Sequence, residues 1–151
     1  MNIIRLDEKY TDEFWQLRRQ LFEELGEINP CDNVCKLKLA TKAYYLSHIN
    51  KDLLCWGTSD NGTITAIISL CLFERIPYHE NLSGIEGYIL NVYTCPDFRK
   101  RGYAESLVRE AIKYANENNI KRLWLSSSKN GKKLYTKLGF VIKENEMELF
   151  L

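Results

Sequence analysis

The chain has 151 residues, enough to bury one hydrophobic core and seldom enough for two, so a single domain over residues 1–151 is expected. Apolar residues make up 45% of it and charged residues 27%, the balance of a globular domain and not of a disordered or membrane chain. The formal net charge is +1, from 21 basic and 20 acidic side chains, so no global field draws the protein to nucleic acid or to an anionic membrane, and any anion site must be local.

The chain opens Met1-Asn2-Ile3-Ile4-Arg5-Leu6-Asp7-Glu8, with acids where a secretory signal would carry its apolar run. No stretch is apolar for long enough to span a bilayer, and a cytoplasmic location is the expectation. Cys31, Cys35, Cys55, Cys71 and Cys95 are odd in number and scattered, which predicts reduced thiols. With only His48 and His79 beside them there is no zinc-type ligand spacing, and no metal is expected.

Ile3 to Leu6 is a short apolar strand candidate. Thr11 and Asp12 offer an N-cap before Phe14, Leu17, Leu21, Phe22 and Leu25, which repeat at helical spacing until Gly26. A second helix is predicted from Asn33 to Ile49, with Val34, Leu37, Ala40, Tyr44 and Leu46 as its apolar stripe. Leu53 to Ser59 and Thr63 to Phe73 read as two strands joined by the hairpin signal Asp60-Asn61-Gly62. After a loop from Ile76 to Ser83, Glu86 to Thr94 is a further strand ending before Pro96. Ala104, Leu107, Val108, Ala111, Ile112 and Ala115 predict a long amphipathic helix from Tyr103 to Asn118. A short strand Leu123 to Ser126, a short helix Gly131 to Leu138 closed by Gly139, and a terminal hairpin over Phe140 to Leu151 turning near Asn145 complete the order. No repeat, low-complexity tract or linker interrupts it.

The segment Pro96-Asp97-Phe98-Arg99-Lys100-Arg101-Gly102-Tyr103-Ala104 joins a strand to the N-terminus of the long helix. Such a terminus presents unpaired N–H groups and partial positive charge, so a basic, glycine-containing turn feeding it suits a phosphate. Gly102 supplies permissive backbone angles, Ala104 keeps the first turn small, and Arg99, Lys100 and Arg101 add charge. A solvated basic turn capping a helix is the plainer reading of the same residues. No Gly-Lys-Ser or Gly-Lys-Thr ends the loop, which argues against a nucleoside triphosphate, and the further glycines of a dinucleotide site are missing.

The pattern Arg-x-x-Gly-x-Ala, realised as Arg99, Gly102 and Ala104 after Asn91-Val92-Tyr93-Thr94 and before a long helix, resembles the GCN5-related N-acetyltransferase (GNAT) family. The downstream run Leu134-Tyr135-Thr136-Lys137-Leu138-Gly139-Phe140 resembles that family's second signature. The resemblance implies an α/β fold with a mostly antiparallel sheet, splayed in the middle and flanked by helices. It implies acetyl-coenzyme A as co-substrate, with its pyrophosphate on the loop from Arg99 through Lys100, Arg101, Gly102 and Tyr103 to Ala104. Val92, Tyr93 and Thr94 would meet the pantetheine arm and the acetyl group, and Ser128, where many members have asparagine, would also bond pantetheine. Gly131 stands where many have alanine, at a cost of roughly 1 kcal/mol to the helix start.

By the same resemblance Tyr135 protonates the departing thiolate. A phenol with reference pKa near 10 suits a leaving alkyl thiolate, because the two basicities are close. The plainer reading has Tyr135 packing its helix against the sheet. Glu86, at the start of the strand before the loop, is the first candidate for a base that deprotonates the attacking amine, with His79 and Glu74 in reserve. It reads equally as an exposed strand-end glutamate. The family shapes its acceptor pocket from the first two helices and their connection, here Glu23 to Cys35. Glu23, Glu24, Glu27 and Asp32 there would favour a cationic amine or form a solvated helix end.

The function expected is transfer of the acetyl group of acetyl-CoA to a primary amine of a small molecule or peptide by direct attack. The alternative is a non-catalytic acyl-CoA binding or sensing module, which would bind cofactor without turnover. The domain is expected to act alone or as a small oligomer such as a homodimer, with no nucleic-acid partner.

Overall fold

The computed structural model describes all of residues 1–151. Its elements are β1 (Asn2–Arg5), α1 (Thr11–Leu25), α2 (Cys35–His48), β2 (Leu53–Asp60), β3 (Thr63–Glu74), β4 (Ile85–Thr94), α3 (Tyr103–Glu117), β5 (Leu123–Leu125) and α4 (Lys132–Lys137), with 3-10 turns at Glu8–Tyr10 and Pro96–Phe98. The five strands lie in sequence order across one sheet. All neighbours are antiparallel except β4 and β5, which run parallel. Asn61 at φ 49° and Gly62 at φ 82° supply the two left-handed residues that a tight hairpin needs, and Asp60 pairs with Thr63 across it.

Alternation along the strands sends successive side chains to opposite faces. Leu53, Cys55 and Ile67 meet Phe14, Leu17 and Tyr45 of α1 and α2, while Leu54, Trp56 and Ile68 meet Leu107, Val108 and Ala111 of α3. Both helical layers follow from the period of their apolar residues. In α3 the buried positions Leu107, Val108, Ala111 and Ala115 form one stripe, and burying a leucine there contributes about 1.5–3 kcal/mol. No helix is long and apolar enough to cross a membrane.

Three local expectations are corrected. The first helix is not capped by Thr11 or Asp12: a 3-10 turn precedes it, and Asp7 accepts from the Lys9 amide at 3.1 Å. In α2 the buried side chain is Tyr45, whereas Tyr44 and Leu46 of the expected stripe are exposed, because the helix touches the core along a narrow line. The terminal hairpin does not form. A turn occurs at Glu144 and Asn145, but residues 140–151 pair with no strand. The only edge near them, β5, is three residues long, and the segment from Lys143 to Glu148 carries four charges.

Candidate active site

β4 pairs with β5 only at Gly87↔Leu123, Tyr88↔Trp124 and Ile89↔Leu125. β5 ends there, so Leu90 to Thr94 have no ladder neighbour on that side. On the other side Leu90 pairs with Ser69 and Tyr93 with Ile67, which leaves Asn91 and Val92 together opposite Ile68. This is a β-bulge, and a bulge turns its strand away from the regular sheet. Asn91 takes the left-handed conformation, φ 53°, that asparagine tolerates better than most residues. Its buried amide is fixed at both ends: Oδ1 accepts from Arg18 Nη1, and Nδ2 donates to Ser69 Oγ at 3.1 Å. The predicted splay therefore exists, and the bulge at Asn91 sits at its apex.

The chain then enters the basic loop. Lys100 at φ 60° and Gly102 at φ 80° are both left-handed, and Gly102 is the N-cap of α3 with no side-chain cap bond. Successive turns of this kind aim backbone N–H groups into one concavity. The first helical bond, Ser106 N to Gly102 O at 3.0 Å, leaves the amides of Tyr103, Ala104 and Glu105 pointing out of the first turn. Arg99 does not join them. Its Nε donates to Thr94 O at 2.9 Å and its Nη2 to Glu24 Oε1 at 2.5 Å, so it straps the loop to α1. Arg101 lies over the Phe98 ring at 5.3 Å, and Tyr103 stacks on Phe98. Between the opening and the loop, the Thr94 hydroxyl is buried without a hydrogen-bond partner.

Val92 and Tyr93 face opposite ways. Val92 packs against the α3-side core, which Tyr135 also joins. Tyr93 packs under α1, and its hydroxyl donates to Glu24 at 2.9 Å. Burial, then that carboxylate, pushes the Tyr93 phenol up to about 12. Tyr135 is half-buried on the first turns of α4, edge-on to Phe140 at 5.9 Å, and its hydroxyl has no partner in the fold. Burial raises its pKa above the ordinary value, so it keeps its proton at neutral pH. Ser128 folds back on the helix start, where its Oγ accepts from the Gly131 amide at 3.2 Å.

Glu86 is fully buried, and its surroundings do not suit a base. Tyr78 and Trp124 Nε1 each donate to it at 2.5 Å, Arg75 at 3.3 Å, and Arg122 lies 3.9 Å away. Burial alone would raise its pKa, but these donors and the Arg75 charge outweigh it and hold the carboxyl below the usual range. A base needs an accessible lone pair and an affinity for protons near the working pH. Glu86 has neither, and it ties the β3–β4 connection to β5 instead.

The acidic stretch between the first helices is largely occupied. Glu23 pairs with Arg19 at 2.8 Å, Glu24 with Arg99, and Asp32 accepts from the Asn29 amide at 2.7 Å. Sequence reasoning missed Arg18, and it did not foresee that Glu24 anchors Tyr93 and Arg99 or that Asn91 forms the bulge. Arg18 had a visible signal, since it stands four residues after Phe14 and four before Phe22 on the apolar stripe of α1.

The family model described as Acetyltransferase (GNAT) family matches residues 12–140. The chain belongs to the GNAT family. A predicted acetyltransferase from Clostridium acetobutylicum, solved with acetyl-CoA, is similar to it at 28% identity and TM-score 0.86, over 99% of this chain and 95% of that one. A GCN5-related N-acetyltransferase from Ralstonia eutropha JMP134 is similar at 21% identity and TM-score 0.87, over 99% and 97%. Glucosamine-6-phosphate N-acetyltransferase from Arabidopsis thaliana shares the fold at 18% identity and TM-score 0.68, over 99% and 97%. No curated protein matches significantly. The GNAT match takes in α1 through Phe140 and stops where the expected terminal hairpin fails to form.

Proposed function

We propose that this GNAT chain transfers the acetyl group of acetyl-CoA to a primary amine, in the opening between β4 and β5. The observation that carries the reading is continuity: a strand segment unpaired on its β5 side, Leu90 to Thr94, leads through a short loop with left-handed Lys100 and Gly102 to a helix start that no side chain caps. An amide-rich pantetheine arm satisfies the first as an added strand would, and a pyrophosphate suits the second. The unpartnered Thr94 hydroxyl and the Ser128 hydroxyl are further donors along that path. Tyr103, Ala104 and Gly102 serve through backbone, Lys100 and Arg101 through charge, and Arg99 by holding the loop in place.

Acetyl-CoA supplies an acyl group activated as a thioester. The amine first gives its ammonium proton to water, because Glu86 is engaged elsewhere. The nitrogen lone pair then forms the C–N bond, the C–S bond breaks, and Tyr135 Oη delivers its proton to the leaving sulfur, while the attached nitrogen gives up its surplus proton to water, from which the phenolate is reprotonated. The unpartnered, protonated state of that hydroxyl supports the role. Mass spectrometry of the purified protein with acetyl-CoA and a mixed amine library tests the proposal. N-acetylated product with matching release of free thiol is expected, and bound cofactor without any product would favour the sensing module instead.

A further inference from the structure

On the α1/α2 face of the sheet, a cavity of about 240 Å³ is lined by Phe14, Arg18, Tyr44, Leu53, Leu90 and Asn91, among others. Asn91 belongs to the bulge and Leu90 immediately precedes it, so the cavity ends on the β4 residues that border the opening, on the face opposite Tyr135. It lies below the roughly 300–1,000 Å³ of drug-sized sites, which indicates a small occupant.

Arg18 is the one charged side chain in its lining. The guanidinium stacks on Phe22 at 4.4 Å, and its single hydrogen bond in the fold goes to Asn91. One of five N–H donors is used, and no carboxylate forms an ion pair with it. Desolvation lowers its pKa and outweighs the attraction of Glu27, the largest offset. A half-buried cation with spare donors and no counter-ion is costly unless something supplies the missing charge.

We infer that the acetyl acceptor carries a carboxylate that Arg18 binds, beside a small apolar body held by Phe14, Tyr44, Leu53 and Leu90. A small apolar amino acid has that chemistry. The guanidinium fork matches a carboxylate. With no second cation in the lining, a doubly charged phosphate is less well matched, and polycationic amines meet a like charge. The inference rests on the acetyltransferase reading for the acceptor's amine and not for its carboxylate. Arg18 could instead serve only to brace Asn91 and the bulge, and the test separates the two roles.

The wild-type enzyme is compared on leucine and phenylalanine against isoamylamine and phenethylamine, which lack only the carboxylate. A kcat/KM ratio of about 10²-fold in favour of the amino acids is expected, the scale of a charged hydrogen-bonded pair. That ratio should collapse toward one in Arg18→Met and be partly kept in Arg18→Lys. A wild-type ratio near one, a ratio unchanged in Arg18→Met because all rates fall together, or preference for O-phosphoethanolamine over every amino acid would overturn the inference. Should no amine be acetylated, calorimetry with 3-phenylpropanoate and 3-phenylpropanamide decides. Binding of the acid alone, lost in Arg18→Met, upholds the carboxylate site even as the catalytic reading fails, and equal or absent binding of the two overturns it.

Discussion

The Cβ that Gly131 lacks would lie 2.8 Å from Cε2 of Tyr135, and 3.4 Å from Ser128 Oγ. The ring thus occupies space that only glycine leaves open, one helical turn back from its own Cα. Gly131 itself has ordinary helical angles, φ −78° and ψ −22°, so alanine would be accepted by the backbone. The conflict is with the ring. In Gly131→Ala the intrinsic helix gain of about 1 kcal/mol is opposed by displacement of Tyr135. The turnover number should fall about 10-fold, the effect of a sub-ångström misplacement of an acid, while acetyl-CoA affinity changes little. Steady-state kinetics beside calorimetry would check this, and unchanged turnover would mean that the ring's position is not critical.

The phosphate loop should depend on backbone shape more than on any single charge. A side chain at Gly102 has open space around it, so the obstacle is the φ of 80°, which a β-branched residue strongly resists. Gly102→Val should weaken acetyl-CoA binding about 10²-fold, and Lys100→Ala by less than about 10-fold at low salt. Isothermal calorimetry giving the reverse order would contradict the role assigned to the loop amides.

Glu86 should matter to stability first. Glu86→Gln leaves Arg75 and Arg122 beside a buried neutral amide, and breaking a buried charged network costs about 3 kcal/mol. The folded carboxyl is held below its unfolded value, so its stabilisation is complete above the ordinary glutamate range near 4.3 and is lost as pH falls toward the depressed folded value. Thermal melts should show wild type losing stability on acidification below about pH 4.5 more steeply than Glu86→Gln. Parallel curves for the two proteins would show that Glu86 is not the group responsible.

The parts of the site legible in the sequence are those set by local chemistry. The hairpin at Asn61-Gly62 and the turn at Gly102 need left-handed residues that few side chains supply, and the α3 stripe is a period any reader can count. The opening beside Leu90 to Thr94 was legible only through family resemblance, because it depends on where β5 stops. The clamp on Glu86 was not legible at all. Its donors lie 8, 11 and 38 residues away and follow no period, so a strand-end glutamate and a saturated buried carboxylate look alike in sequence. The terminal hairpin failed for the converse reason: residues 140–151 carry apolar side chains and a turn near Asn145, but a strand also needs an edge to pair with.

Transfer in this opening, with Tyr135 Oη giving its proton to the leaving thiolate, is tested by the turnover of Tyr135→Phe across pH. The substitution keeps the ring that packs against Phe140 and removes only the donor. With an accepted amine, the turnover number should fall about 10²-fold or more while acetyl-CoA affinity stays within a few-fold. Since burial raises the phenol's pKa, wild-type activity should decline only above about pH 10. Tyr135→Phe should lack that alkaline decline. Full activity of the variant at every pH would contradict the claim, leaving water as the acid and Tyr135 as a wall of the thiol pocket.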